Sequence, residues 1–110
     1  PYLSMDQQAV IGPGAMCYSM ASIHIGARAV ISQGAHLCAG THDIDDPRFQ
    51  LFARSINIGA GAWIAAEAFV GPGVIVGERA VLGARGVTVK NLDAAGVYAG
   101  NPARKIRERK

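Results

Sequence analysis

Residues 58–90 read IGAGAWIAAEAFVGPGVIVGERAVLGARGVTVK, and the spacing within this stretch decides the fold. Every sixth residue from its start gives Ile58, Ile64, Val70, Val76, Leu82 and Thr88. Five of these six are branched aliphatics. The residues just after them are Gly59, Ala65, Gly71, Gly77, Gly83 and Val89, and five of these are Gly or Ala. Four places after each aliphatic comes a residue that is mostly small: Ala62, Ala68, Val74, Ala80, Gly86, Leu92. At the chain's own residue frequencies, the first two columns together have a chance probability on the order of one in ten thousand.

The period continues upstream in shifted phases. Met5, Ile11 and Cys17 lie six apart, and Ile23 continues them. A slip of two residues then leads to Ile25, Ile31 and Leu37. The pattern stops from about His42 to Ile56, restarts at Ile58 and fades after Lys90. A period of six matches neither a helix face nor a plain alternating strand, and Gly71-Pro72-Gly73 would break a helix. The physical solution is a coil with three short strands per turn and a corner every six residues. The aliphatic points inward, and the Gly or Ala beside it permits a tight corner. Turns of ~18 residues then stack like on like, which predicts about four to five coils outside the break and the tail.

The composition agrees. The chain has 19 Ala, 14 Gly, 10 Ile and 9 Val but only 5 Leu in 110 residues. Glycine and β-branched residues weaken helices, so a helix bundle is excluded. A hydrophobic fraction of 50% with 17% charged residues excludes disorder. Aromatics at 6% exclude a core built on large rings. One domain, residues 1–110, is the natural reading of this length. Its protruding loop is placed at about 42–57 and its basic tail at 104–110.

The net charge of +3 is unevenly spread. Residues 104–110 hold five cations and one anion, leaving six cations and seven anions in the body. A neutral body with a basic tail is not the basic stripe of a nucleic-acid binder. No apolar run reaches the roughly 18 residues of a membrane span. No signal or transit peptide is visible, and free thiols at Cys17 and Cys38 fit a reducing compartment, so a cytoplasmic location is expected.

Three segments together resemble a known family: ISQGAHLCAGTHD followed by DPRFQL, then the hexads of 58–90, then AGNPARKIR. They are similar to the hexapeptide-repeat acyltransferases, and within these to sugar O-acetyltransferases of the colanic-acid-biosynthesis type. Maltose, galactoside and nodulation acetyltransferases are more distant relatives. The resemblance implies an all-β fold, a left-handed parallel β-helix with one protruding loop and a short C-terminal cap. It implies a homotrimer with sites between subunits, acetyl-CoA as co-substrate and no metal. Such proteins are usually longer at the N-terminus, so early coils are expected to be missing here.

Attack of an alcohol on a thioester needs a base for the hydroxyl proton, and histidine suits that task. The family's base is a loop histidine, and His42 matches its position. Asp43, Asp45 or Asp46 would orient the imidazole, bind acceptor hydroxyls or simply solvate the loop. Positions matching the family's cofactor contacts are Trp63, Ala66, Ala84, Lys90, Arg104 and Arg107. Small side chains at Ala66 and Ala84 would admit a thin pantetheine arm, and Lys90 and Arg104 would pair with phosphates. Trp63 directly precedes inward Ile64, so it should point outward. Relatives often carry Thr just before the Lys, where this chain has Val89. A sugar or polysaccharide-precursor hydroxyl is the expected acceptor. A non-catalytic scaffold, a xenobiotic acetyltransferase and a three-histidine carbonic anhydrase on the same fold are the alternatives.

Overall fold

The computed structural model describes residues 2–110 and contains strands, turns and bends but no helix. Three ladders of short parallel strands form the sides of a prism, and the chain with its hairpin and tail measures 47 × 30 × 22 Å. The first face stacks β1 (Leu3–Met5), β4 (Ile23–Ile25), β9 (Ile56–Ile58) and β12 (Ile75–Val76). The second stacks β2 (Val10–Ile11), β5 (Val30–Ile31), β10 (Trp63–Ile64), β13 (Val81–Leu82) and β15 (Gly96–Ala99). An antiparallel strand, β16 (Arg104–Glu108), closes that ladder against β15. The third face stacks β3 (Met16–Tyr18), β6 (His36–Cys38), β11 (Phe69–Val70) and β14 (Val87–Thr88). One hairpin leaves the prism, made of β7 (Gly40–His42) and β8 (Leu51–Ala53).

The hexad columns are the rungs of these ladders. Ile58 pairs with Val76, Ile64 with Leu82 and Val70 with Thr88, each partner standing three hexads further along the chain. These side chains are buried, as are the small residues four places later, Ala62, Ala68, Val74 and Ala80. Fully burying one such aliphatic contributes roughly 1.5–3 kcal/mol. Thr88 takes an inward position at little cost, because its hydroxyl donates to the Lys90 carbonyl at 2.7 Å and accepts the Lys90 N–H at 3.2 Å.

Two details differ from the sequence reading. The slip of two lies at the corner before Ile23. Ile23 pairs with Leu3 and Ile25 with Met5, so both are inward residues of one strand, with His24 outward between them. The insertion is bounded by the arms Gly40–His42 and Leu51–Ala53, so Ile56 and Asn57, which the sequence pattern assigns to the loop, already belong to β9. Ile56 is fully buried, and that burial recovers the coil after the excursion.

The structure shows how the small residues permit the corners. The left-handed residue of most corners is the third after the inward aliphatic, and it is often not glycine: Arg28, Glu67, Arg79 and Arg85 have φ of 58–60°. Gly59 and Gly77, beside the aliphatic, have no such φ. A Cβ on Gly59 would sit 2.6 Å from the Glu78 nitrogen, and one on Gly77 would sit 2.5 Å from the Ala94 nitrogen. Glycine stands there because the next coil's backbone passes too close for any side chain.

The outward rows of the three faces are unlike. The second face carries Val10, Val30, Trp63, Val81 and Val97 in register, and the third carries Met16, His36, Phe69 and Val87. The first face carries Ser4, His24, Asn57 and Ile75. The basic tail runs back along the corner between first and second faces. Arg109 donates to the Gly61 and Arg79 carbonyls, and Arg79 donates to the Lys110 carbonyl.

Candidate functional site

The hairpin departs at Gly40, where a Cβ would collide with the Met20 sulfur at 2.6 Å and the Tyr18 ring at 3.0 Å. Its tip is folded by aspartates. Asp43 Oδ1 accepts the Asp45 N–H at 3.0 Å, and Asp46 Oδ1 accepts the Arg48 N–H at 2.9 Å. Such side-chain turns are the usual work of Asp before a tight bend. The tip returns through Phe49, which has φ of 51° and accordingly turns its ring and carbonyl back toward the first arm.

His42 meets Phe49 twice. The two rings stack with centroids 4.1 Å apart and planes 13° from parallel. His42 Nδ1 lies 2.8 Å from the Phe49 carbonyl oxygen. A carbonyl oxygen only accepts, so Nδ1 carries the proton and the neutral ring's lone pair is on Nε2. The orienting partner is thus a backbone carbonyl on the far side of the loop, and the carboxylates of Asp43 and Asp46 are engaged in the tip's own turns. Nothing in the sequence flagged Phe49 for this, because the contact depends on its backbone conformation.

The other expected residues fall into separate places. Trp63 is outward and 45% exposed, and its indole N–H donates to Ser32 Oγ at 2.8 Å. It lines an open cavity of about 380 Å3 with Arg28, Val30, Ser32 and Arg109. Arg28 and Arg109 escaped the sequence reading because they stand far apart along the chain and meet only through the returning tail. Ala66 and Ala84 stack one coil apart on the corner between second and third faces, where the Ala66 carbonyl accepts the Arg85 N–H at 2.9 Å. Lys90 and Arg104 share a cleft of about 120 Å3 with Thr88, Val89 and Pro102. Arg107 does not line that cleft, and its guanidinium donates to the Glu108 carbonyl.

Both cysteines are free thiols. Cys38 donates to the Gly40 carbonyl at 3.1 Å, and burial pushes the Cys17 thiol above its ordinary pKa. Among the described residues, no group of three His, Cys, Asp or Glu side chains gathers as a metal site. His24, His36 and His42 lie on the first face, the third face and the hairpin, so within one chain they do not converge. No helix among the described residues is long and apolar enough to cross a membrane.

No family model matches the chain. Over 107 residues it is 43% identical to WcaF of Escherichia coli K12, a candidate colanic acid biosynthesis acetyltransferase, across 97% of this chain and 59% of that protein. The chain therefore spans less than two thirds of that relative's length. Among solved structures, a variant of AntD, an N-acyltransferase from Bacillus cereus in complex with dTDP and coenzyme A, superposes with a TM-score of 0.89. Identity is 20%, covering 98% of this chain and 64% of that one. A hexapeptide-repeat-containing acetyltransferase of Vibrio cholerae, complexed with acetyl-CoA, superposes with a TM-score of 0.83 at 22% identity, covering 100% and 66%. The chain is thus a left-handed parallel β-helix of the hexapeptide-repeat kind, homologous to proteins named as acetyltransferases.

Proposed function

We propose that this chain belongs to an acetyl-CoA-dependent O-acetyltransferase acting on a sugar or polysaccharide-precursor hydroxyl. The observation that carries the reading is the His42–Phe49 pair. It fixes the imidazole plane, sets the tautomer with Nδ1–H donating, and leaves Nε2 to accept a proton. In this scheme Nε2 takes the acceptor's hydroxyl proton as its oxygen attacks the thioester carbonyl. The coenzyme thiolate leaves, and the proton on His42 returns to it. No side-chain nucleophile is required, in keeping with the engagement of the Cys38 thiol.

The residues fit a long, thin co-substrate that is anionic at one end. The cleft shared by Lys90 and Arg104 offers two cations to its phosphates. Arg107 lies further along the same strand as Arg104. The Ala66 and Ala84 corner lets the pantetheine arm approach backbone, and exposed Trp63 offers an apolar wall. Asp43 and Asp45 are candidates for acceptor hydroxyls. The apolar outward rows of the second and third faces suit burial by further copies, which supports a homotrimer with each site between subunits. A cytoplasmic setting, where acetyl-CoA is made available, and a role in polysaccharide biosynthesis follow from the same reading.

The test is to mix the protein with acetyl-CoA and a panel of sugars and follow free thiol release. Replacing His42→Ala should lower the rate by roughly 10²–10⁴-fold, the usual contribution of a general base. A variant as fast as the parent would overturn the base assignment. Calorimetry showing no binding of CoA would overturn the whole reading.

A further inference from the structure

A cleft of about 430 Å3 lies across the first face, away from Trp63, Lys90 and Arg104. Its polar lining side chains are Asp6, His24, Asn57 and Glu78, with exposed Ile75 beside them. His24 is held at both ends. Its Nε2–H donates to Asp6 Oδ2 at 3.0 Å, and in the neutral ring Nδ1 accepts the Ser4 hydroxyl at 2.8 Å. The cleft edge also carries the backbone N–H groups of Ala60 and Glu78, which find no acceptor among the described residues. The glycines beside them, Gly26 and Gly59, leave that backbone uncovered.

The chemistry of this lining selects its ligand. It presents donors and acceptors side by side, includes two carboxylates, and contains no Lys or Arg. Within the lining a phosphate or an acidic sugar would meet two carboxylates and no cationic Lys or Arg, the nearest arginines, Arg28 and Arg79, lining the adjoining cavity past Ala60 and Glu78. A neutral polyhydroxyl ligand can satisfy carboxylate, amide and N–H groups together, while the Ile75 side chain meets its C–H face. The first face is also the one whose outward row is mainly polar, whereas the other two rows are apolar except for His36. Position points the same way. Asn57 follows the hairpin arm at Ala53 by four residues, at most about 13 Å of extended chain. An extended saccharide held at the hairpin is therefore long enough to reach this face.

We infer that the first-face cleft is a subsite for neutral sugar units flanking the reacting one, so that the acceptor is an oligosaccharide or a polymer end rather than a free monosaccharide. This rests on the sugar-acetyltransferase reading above. The subsite is tested separately by titrating the 15N-labelled chain, without acetyl-CoA, with maltotriose, cellotriose and β-1,4-galactotriose. Amide shifts should cluster at His24, Asn57, Ala60 and Glu78. Asn57→Ala and Glu78→Gln should each weaken the binding by up to roughly tenfold, the loss of about one hydrogen bond. In acetyl transfer, each variant should raise the trisaccharide KM by a similar factor. Both side chains are outward, so unchanged thermal midpoints check that the variants fold. If none of the trisaccharides shifts the first-face amides, or the variants bind as the parent does, the subsite is wrong, even where transfer to sugars is observed. First-face shifts in a protein without transfer activity would keep a neutral-sugar site on this face but reject the transferase reading and, with it, the flanking role.

Discussion

The coils of residues 56–92 and the coil of residues 23–56 solve one problem at different lengths. In the first region, each inward residue meets the one three hexads further on, as Ile58 meets Val76 and Ile64 meets Leu82. In the second, Ile25 meets Ile58, Ile31 meets Ile64 and Leu37 meets Val70, a longer step along the chain because the hairpin intervenes. Burial is the same in both. Ile25, Ile31 and Leu37 are fully buried, and Ile58, Ile64, Val70, Val76 and Leu82 are at most 1% exposed. The rung is therefore set by which aliphatics must be covered, and a corner admits a long excursion without disturbing it. Loop closure explains the tolerance, since doubling a loop costs only about 0.6 kcal/mol. The candidate base, His42, stands in that excursion, which the stack does not constrain, whereas Trp63 and Arg104 stand on strands of the ladder.

The sharpest way to break the comparison is to remove the difference. Replacing residues 41–52 with a short glycine-containing turn should abolish acetyl transfer completely. Circular dichroism should still report the β-helix, with a thermal midpoint within a few degrees of the parent. Loss of the fold would mean that the hairpin supports the prism. The next effect is on the stack itself. Ile64→Ala removes a fully buried rung, and urea denaturation should show a loss of roughly 2–5 kcal/mol. Ile11→Ala should cost clearly less, because Ile11 occupies the same column in the first coil but is only half-buried. Equal losses would contradict the view that a rung is stabilised by covering on both sides.

A smaller effect separates two glycines of one column. Gly77→Ala forces a Cβ against the Ala94 backbone at 2.5 Å, and overpacking of this kind costs about 1–3 kcal/mol. Gly83→Ala meets its nearest neighbour, the Tyr98 carbonyl oxygen, at 3.4 Å and should be close to neutral by the same measurement. The smallest effect belongs to the surface. Glu67 accepts from Arg85 at 2.7 Å with both side chains largely exposed, so Glu67→Ala should leave the thermal midpoint unchanged.

The fold was legible because its signal repeats. Ile58, Ile64, Val70, Val76 and Leu82 each restate one local rule, and a rule stated five times survives the departures at Thr88 and Val89. The outward position of Trp63 followed from alternation with Ile64. The two-residue slip and the loop bounds were misplaced because Ile23 and Ile56 fit two phases, and only their rung partners decide between them. The candidate site was half legible. His42 stood out in the break of the pattern, but its partner did not, since a backbone carbonyl has no sequence signature. How the small residue beside the aliphatic permits the corner was not legible, for a similar reason. Left-handed corners fall at Arg28, Glu67, Arg79 and Arg85, three places after the aliphatic, while Gly59 and Gly77 yield to a backbone one coil away.

By itself, then, the sequence determined a six-residue coil, its inward and outward residues, and the break that carries His42. These are local and periodic properties, written in side-chain size and branching. The tertiary structure alone decided the proton position on His42, the shared cleft of Lys90 and Arg104, and the contrast between one mainly polar and two mainly apolar faces. Each depends on residues distant along the chain being brought together by a particular turn or a particular rung, and neither distance nor orientation is encoded in the residue types taken singly.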